Sequence, residues 1–220
     1  MTPSVKQFIA LDYYTIKPYI TWKNFLIYFG IAATIGISTK NPYAVSGVVL
    51  FSGMIYTRFL FAVGEQNGID VLYCTLPLIR RQVVLGRYIF TMMLNVLFSL
   101  GGAIVSTLFA VFFAGGFSLH LLGESFLASG VMMVIYTIVL LIQLPIFFKL
   151  GYKKGNTAGT IVLFIPMLLI FFIVQGAAKY QWLQSSLVLK TLGITAGMVA
   201  VSSPWISCRL SEKWYKQREF

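Results

Sequence analysis

Residues 88–114 read YIFTMMLNVLFSLGGAIVSTLFAVFFA, an apolar run without one charged side chain. A helix needs about 20 such residues to cross the hydrocarbon core of a bilayer. Because the run exceeds that length, we expect a transmembrane helix that tilts or extends beyond the hydrocarbon. This run places the chain among integral membrane proteins, a class that the composition of the whole chain can test.

The composition of the chain supports membrane residence. Of its 220 residues 58% are hydrophobic and 10% are charged, whereas soluble domains carry about 25% charged residues. The net charge of +11 does not indicate nucleic-acid binding, because no basic stripe with interleaved aromatic residues is present. The lysines and arginines instead stand in short blocks beside apolar runs, where they set orientation and meet anionic headgroups. Membrane lipids, and not nucleic acid, are the expected partners of this charge.

Six apolar runs of spanning length are marked off by charges and turn residues. Their bounds are about 22–39, 43–63, 88–114, 125–149, 157–178 and 186–208. Most of the basic residues between them fall on one side of the membrane, and only Lys40, Lys179 and Lys190 fall on the other. The positive-inside rule then places both termini in the cytoplasm, together with the connections over 64–87 and 150–156.

These runs define the predicted fold class. We expect an all-α integral membrane protein with six transmembrane helices, preceded by an interfacial amphipathic helix at the N-terminus. The chain is treated as a single transmembrane domain over residues 1–220, because no internal repeat divides it. A multi-pass protein of a cell membrane follows, with a bacterial cytoplasmic membrane as the expected location.

The segment before the first run has the pattern of an amphipathic helix. At 100° per residue, one face of a helix over 4–20 collects a set of apolar side chains. They are Val5, Phe8, Ile9, Tyr13, Ile16, Tyr19 and Ile20. Lys6 and Lys17 flank this face, which suits a helix lying in the plane of the cytoplasmic headgroups.

Two charged residues are predicted to lie largely away from water. Asp12 lies on the apolar face of the N-terminal helix, where a lone carboxylate is costly. We therefore expect that its side chain either has a partner or extends back to water at the edge of the helix. Arg58 is the one charge embedded in a predicted run, and it either snorkels to the inner headgroups or forms a structural ion pair. Asp12 and Glu65 are the candidate partners of Arg58.

The chain lacks the sequence motifs of an ATPase and of a metalloprotease. It contains no G-x-x-x-x-G-K-[ST] loop, so we do not expect ATP hydrolysis on this chain. It has a single histidine, His120, and no H-E-x-x-H, so neither a metal site nor a catalytic centre is expected. No Asp or Glu lies inside a predicted run, which argues against a proton-coupled carrier. We therefore expect a chain without catalytic residues and without a cofactor of its own.

The connection over 64–88 is too polar to span the membrane and too apolar for a linker that only joins two helices. An apolar stripe at i, i+3, i+4 and i+7, the spacing of one helical face, is formed by Ile69, Leu72, Tyr73 and Leu76. Pro77 ends that helix, and Arg80 and Arg81 open the segment that leads to the third run. A short cytoplasmic helix with an apolar stripe needs a headgroup surface or a protein groove to bury it.

The same connection resembles the signature loop of a known family. The matching letters are Thr75-Leu76-Pro77-Leu78-Ile79-Arg80-Arg81-Gln82-Val83-Val84, with Glu65 and Asp70 before them and Arg87-Tyr88 after them. They are similar to the sLPisRkqiV…KY segment of the small ABC type-2 permeases, the membrane subunits of ATP-binding-cassette exporters. Arg87 stands where that family has a lysine, and Arg80 where it has a serine. In the N-terminal helix Leu11-Asp12-Tyr13 replaces a Lys-Asp-Leu element of the family, so the basic residue of that element is absent.

The resemblance implies that ATP hydrolysis and transport are carried out by separate subunits. The connection over 64–87 would be a coupling helix that docks into a groove of a separate cytoplasmic ABC ATPase, and the N-terminal helix would be the connecting helix. The implied contact residues are Ile69, Asp70, Leu72, Tyr73, Leu76, Pro77, Arg80 and Arg81. Lys153 and Lys154, in the connection over 150–156, would make a second and smaller contact. ATP and Mg²⁺ would bind to the ATPase, and a second permease subunit, identical or related, would complete a dimer.

The expected function is that of a permease subunit in an ABC exporter for a hydrophobic or amphipathic substrate, with a peptide as the first candidate. One alternative is a secondary carrier or channel, which would place polar clusters at mid-membrane and work without a nucleotide-binding partner. Another is a non-transporting immunity or sensor subunit, which would bind a partner and move nothing.

Overall fold

The computed structural model describes the backbone of residues 3–39, 41–69, 80–180 and 203–217, and the side chains of residues 7–39, 41–69, 80–161 and 203–217. Within these ranges all regular secondary structure is helical, which confirms the predicted all-α class for this part of the chain. Most of the predicted coupling helix and most of the sixth apolar run lie outside the described residues.

The helices follow one another in the order of the predicted runs. They are α1 (Pro3–Ile16), α2 (Trp22–Thr39), α3 (Pro42–Gln66), α4 (Arg80–Ala114), α5 (Leu119–Tyr180) and α6 (203–217). A 3-10 turn over Lys17–Tyr19 lies between α1 and α2. The bounds of α2 equal those predicted for the first run, whereas α4 begins at Arg80, well before the predicted start at 88.

Local chemistry explains the ends of α3. The side chain of Asn41 accepts a hydrogen bond from the backbone N–H of Tyr43 at 3.0 Å, as an N-cap does. Pro42 follows at the first helical position, where its missing N–H costs nothing. Beyond the other end of α3, Gly68 has a φ of +63°, a value that residues with a Cβ adopt only under strain.

A single residue interrupts α5 where a longer connection was expected. The backbone leaves helical angles only at Gly151, with φ 73° and ψ −178°, and residues on both sides are helical. The connection predicted over 150–156 is thus a one-residue break. Glycine can adopt this φ because it has no Cβ that would clash with the backbone.

Among the residues that the structure describes, three helices are long and apolar enough to cross a membrane: Pro42–Gln66, Arg80–Ala114 and Leu119–Ile161. A fourth span results if Gln7–Tyr19 and Trp22–Thr39, which meet at an angle of 76°, are taken together. These described helices are those of a multi-pass membrane protein. The count of six spans and the cytoplasmic position of both termini stay predictions.

By its contacts the chain divides into two units, Met1–Thr137 and Ile138–Glu219. In the first unit α3 packs against α4 and α2, and α1 packs against α4 and α3. Glycines bring α3 and α4 close together, since a Cβ at Gly53 would lie 2.8 Å from the ring of Phe98. Small residues at such contacts are the usual means by which membrane helices approach one another.

Buried polar side chains of α4 bond to the first part of α5, within the same unit. The side-chain amide of Asn95 donates to the hydroxyl of Thr137 at 2.8 Å. The hydroxyl of Ser129 donates to the carbonyl of Ser99 at 2.6 Å. Hydrogen bonds of this kind satisfy polar groups away from water and fix the rotation of one membrane helix against another.

The second unit joins α6 to the adjacent part of α5. Ser207, Ser211 and Tyr215 recur at intervals of four residues and are buried, so they form one face of α6. Ser207 bonds to the carbonyl of Leu141, and the rings of Tyr215 and Phe148 meet edge to face with centroids 5.4 Å apart.

The helix α6 extends beyond the end predicted for the sixth run. That run ends at 208, but α6 continues to residue 217. Lys149 lies over the ring of Trp214 at 4.6 Å, and Lys216 pairs with Glu212 at 2.9 Å. The basic segment near the C-terminus is therefore a helix packed on α5.

Candidate functional site

The helix α1 lies against α3 and α4 through a narrow face. Phe8, Asp12 and Ile16 are almost completely buried and recur at intervals of four residues. The face predicted from the sequence is broader, and the structure leaves Tyr13, Tyr19 and Ile20 exposed. Tyr13 lies at the edge of the buried face, and Ile20 lies beyond the 3-10 turn, where the helical phase of α1 no longer applies.

Two charges meet where α1 crosses α4. The Oδ1 atom of Asp12 lies 4.0 Å from the Nε atom of Arg87, and both side chains are shielded from solvent, at 0% and 2% exposure. The guanidinium carbon of Arg87 also lies 4.6 Å from the ring centroid of Phe61 on α3, a cation–π geometry. One arginine thus connects α1, α3 and α4.

A close backbone approach stands beside this ion pair. A Cβ at Gly86 would lie 2.7 Å from the ring of Phe8, so the ring rests directly on the backbone of α4. Away from the two charges, the contact of α1 with α3 and α4 continues as a core of apolar side chains. They are Ile16, Tyr56, Leu60, Phe90 and Leu94. We call the contact of α1 with α3 and α4 around Asp12 and Arg87 the α1 junction.

The structure gives Asp12 a basic neighbour that sequence reasoning did not select. Arg58 is half-buried on α3 and Glu65 is half-buried near the end of that helix. The predicted pairing of Arg58 with Asp12 or Glu65 stays a prediction. A signal for Arg87 was present, because Val83, Val84, Arg87, Phe90 and Thr91 follow the spacing of one buried helical face.

The predicted coupling residues are described only at their edges. Ile69 is half-buried after the end of α3. Arg80 is half-buried and Arg81 is exposed in the first turn of α4. Asp70, Leu72, Tyr73, Leu76 and Pro77 lie outside the described residues, so their apolar stripe stays a prediction.

The predicted second contact lies in the second unit. Lys153 and Lys154 are exposed on α5, shortly after the break at Gly151. The stacked rings of Phe147 and Tyr152, with centroids 6.3 Å apart, pack across the same break. The lysines are therefore presented on helical backbone and not on a loop.

The apolar helices and the buried α1 junction define a multi-pass membrane protein with a packed N-terminal helix. The family described as ABC-2 family transporter protein matches residues 7–216, and the chain belongs to this family. Members of the family are membrane subunits of ABC transporters, generally without catalytic residues, and they partner with an ABC ATPase subunit. No curated protein and no solved structure matches this sequence.

Proposed function

We propose that the chain is the permease subunit of an ABC exporter, coupled through residues 64–87 to ATP hydrolysis by a separate cytoplasmic ATPase. The family match over residues 7–216 is the observation that carries this proposal. The exported substrate is hydrophobic or amphipathic, and a peptide is the first candidate. ATP and Mg²⁺ bind on the ATPase, and a second permease subunit completes the transport path.

The packing around residues 64–87 supports a coupling role. The helix before this segment, α3, ends at Gln66, and the helix after it, α4, begins at Arg80. These two helices pack against each other along their length, and α1 is held to both by the α1 junction. Because packed helices move as units, a displacement of the segment between them acts on α1, α3 and α4 together.

The connections on the opposite side support export. Only residues 40–41 separate α2 from α3, and only residues 115–118 separate α4 from α5. With α1 at the cytoplasmic face, as the positive-inside rule requires, these short connections lie outside the cell. These two connections are too short to form a docking surface for a binding protein that delivers a substrate for import, which favours cargo that enters from the cytoplasm or the membrane.

The orientation also explains the bend before α2. The helices before and after it meet at 76°, so α1 runs nearly parallel to the membrane surface if α2 crosses it. An amphipathic helix in this position lies among the headgroups. We therefore assign α1 as an interfacial connecting helix on the cytoplasmic side of a bacterial cytoplasmic membrane.

Assembly with the ATPase tests the proposal. In co-expression of the chain with its candidate ABC ATPase, Leu72→Asp should lower the copurified ATPase about tenfold, because a charge on the apolar stripe must be buried in the docking groove. The matched control is Leu119→Asp, at a residue that is 80% exposed at the start of α5. Equal recovery of the ATPase with both variants, at equal membrane levels of the permease, would contradict a coupling helix over these residues.

A further inference from the structure

The break at Gly151 is the turn of a helical hairpin. The side-chain amide of Gln143 donates to the carbonyl of Gly159, 16 residues further on, at 3.3 Å. In a straight helix two such residues would be about 24 Å apart. Nearer the turn, a Cβ at Gly155 would lie 3.4 Å from the Cα of Phe147. The chain therefore reverses its direction at Gly151, and we call residues 119–150 the first arm of α5 and residues 152–180 the second arm.

Each arm is long enough to cross a membrane by itself. Both arms exceed the length of about 20 residues that a transmembrane helix needs. The first arm carries no charge between Glu124 and Lys149, and the second carries none between Lys154 and Lys179. By length and composition α5 is therefore a pair of antiparallel spans joined by one residue.

The two arms touch backbone to backbone beside the turn. A Cβ at Gly155 would lie 3.4 Å from the carbonyl oxygen of Ile146, and a Cβ at Gly159 would lie 3.8 Å from the side chain of Gln143. Glycines four residues apart permit this close approach of membrane helices. At this level the arms are in van der Waals contact, with no gap between them.

Separation of the arms would leave a polar side chain without its bond. Gln143 is 1% exposed and belongs to the apolar run over 125–149, where a polar group that loses its hydrogen bond is costly. The backbone of α5 leaves helical angles only at Gly151, so no flexible connection exists to absorb a movement between the arms. Both features keep the hairpin closed.

The first arm is also fastened to α6. The ring of Phe148 meets that of Tyr215, and the carbonyl of Leu141 accepts a hydrogen bond from Ser207. Because the residue numbers rise together in these two contacts, α6 runs parallel to the first arm. The first arm is therefore packed against the second arm and against α6.

We propose that the hairpin around Gly151 stays closed during transport and moves together with α6 as one body. Packed helices shift as units, and a hinge needs residues that absorb a change in backbone angles. Lys153 and Lys154 lie in the first turn of the second arm, so a force applied there acts on the whole body and not on the second arm alone. The role of this body in transport rests on the proposed function, whereas the closed hairpin does not.

Disulfide formation between the arms measures the closed hairpin directly. The pair Phe147→Cys/Gly155→Cys is introduced into a cysteine-free parent, Cys74→Ser/Cys208→Ser. The 3.4 Å between the Cβ position at 155 and the Cα of 147 suits the geometry of a disulfide. We expect mild oxidation of membranes without an ATPase to protect both thiols from a polyethylene-glycol maleimide, while Gly155→Cys alone stays reactive.

A second pair tests the same contact without removing a buried ring. Gln143→Cys/Gly159→Cys lies one helical turn further from Gly151, and we expect it to form a disulfide as well. Thiols that stay reactive in both pairs after oxidation, at normal membrane levels of the protein, would overturn the closed hairpin.

The locked chain then tests whether the arms move against each other. In proteoliposomes with the ABC ATPase, we expect each disulfide-linked pair to stimulate ATP hydrolysis as much as its reduced form, because locking a hairpin that never opens changes nothing. A loss of stimulation on oxidation that a reducing agent reverses, with the cysteine-free parent unaffected, would overturn the proposal. A parent that fails to stimulate hydrolysis would count against the proposed function, while the disulfide test alone decides the closed hairpin.

Discussion

Asp12 and Arg87 face each other at the α1 junction, 4.0 Å apart and shielded from water. A buried pair of this kind gains little over apolar packing, but removing one partner is costly, because the other charge then loses compensation in a site away from water. We expect Asp12→Asn to lower the free energy of unfolding by about 3–5 kcal/mol. The midpoint of thermal unfolding in detergent micelles measures the loss.

Two further variants separate the ion pair from a general effect of charge. Lys17→Gln removes an exposed charge from the neighbouring turn and should leave the midpoint within error. Removing both partners, as in Asp12→Leu/Arg87→Met, should cost less than the sum of the two single changes, because no charge is left alone. A stable Asp12→Asn, or fully additive losses, would show that the two charges are not coupled.

The contact of Phe8 with Gly86 makes a steric prediction at the same junction. A side chain at Gly86 begins only 2.7 Å from the ring of Phe8, so Gly86→Leu should displace α1 and cost about 1–3 kcal/mol, as overpacking does. Labelling of a cysteine introduced at Ile16, which is fully buried on the same face of α1, should become faster in this variant, since Phe8 keeps its ring. Gly30→Leu, at an open position on α2, should leave the labelling rate unchanged.

At the scale of elements, α4 is the helix that holds the first unit together. It packs against α3 and α1 and bonds to the first part of α5 through Asn95 and Thr137. We expect Asn95→Ala to lower stability by about 0.6–1.7 kcal/mol, the range of hydrogen bonds between membrane helices.

The matched control for that bond is a polar residue that bonds only within its own helix. Thr34 is exposed on α2 and donates to the carbonyl of Gly30 at 2.8 Å, so Thr34→Ala removes a hydroxyl without breaking a contact between helices. Its unfolding midpoint should match that of the parent chain. Equal destabilisation by Asn95→Ala and Thr34→Ala would remove the case for Asn95 as a link between helices.

The sequence predicted helix type better than helix ends, and the reasons are physical. Apolar runs mark where a helix crosses hydrocarbon, and the run 22–39 coincides with α2. A helix can continue through charged residues once they face solvent or a partner, so α4 begins at Arg80 and α6 continues to residue 217. Charge clusters therefore mark the membrane boundary and not the end of the helix.

The candidate site was predictable in part for the same reason. The helical phase of the N-terminal segment placed Asp12 on the apolar face, and that carboxylate is buried. The apolar pattern places its neighbour Arg87 in a connection, because the third apolar run begins at 88. Once α4 includes residues 80–87, Arg87 joins a buried helical face and an acidic neighbour is required.

At the scale of the whole molecule, the predicted topology can be tested with thiol reagents. With both termini in the cytoplasm, Cys74 should resist a membrane-impermeant reagent in intact cells and react after permeabilisation. A cysteine introduced at Leu119, which is 80% exposed, should react from outside. Since Cys208 is half-buried, Cys74 carries the test, and labelling of Cys74 in intact cells would contradict the assigned orientation.

The central claim is that this chain passes the work of a separate ATPase to a transport path through residues 64–87. Its most direct test is the rate of ATP hydrolysis by the ABC ATPase in proteoliposomes containing the unaltered chain, Leu76→Asp or Leu119→Asp. The unaltered chain and Leu119→Asp should stimulate hydrolysis, while Leu76→Asp should leave it at the rate of the ATPase alone, because its charge cannot enter an apolar groove. Equal stimulation by Leu76→Asp, at equal amounts of reconstituted permease, would contradict the claim.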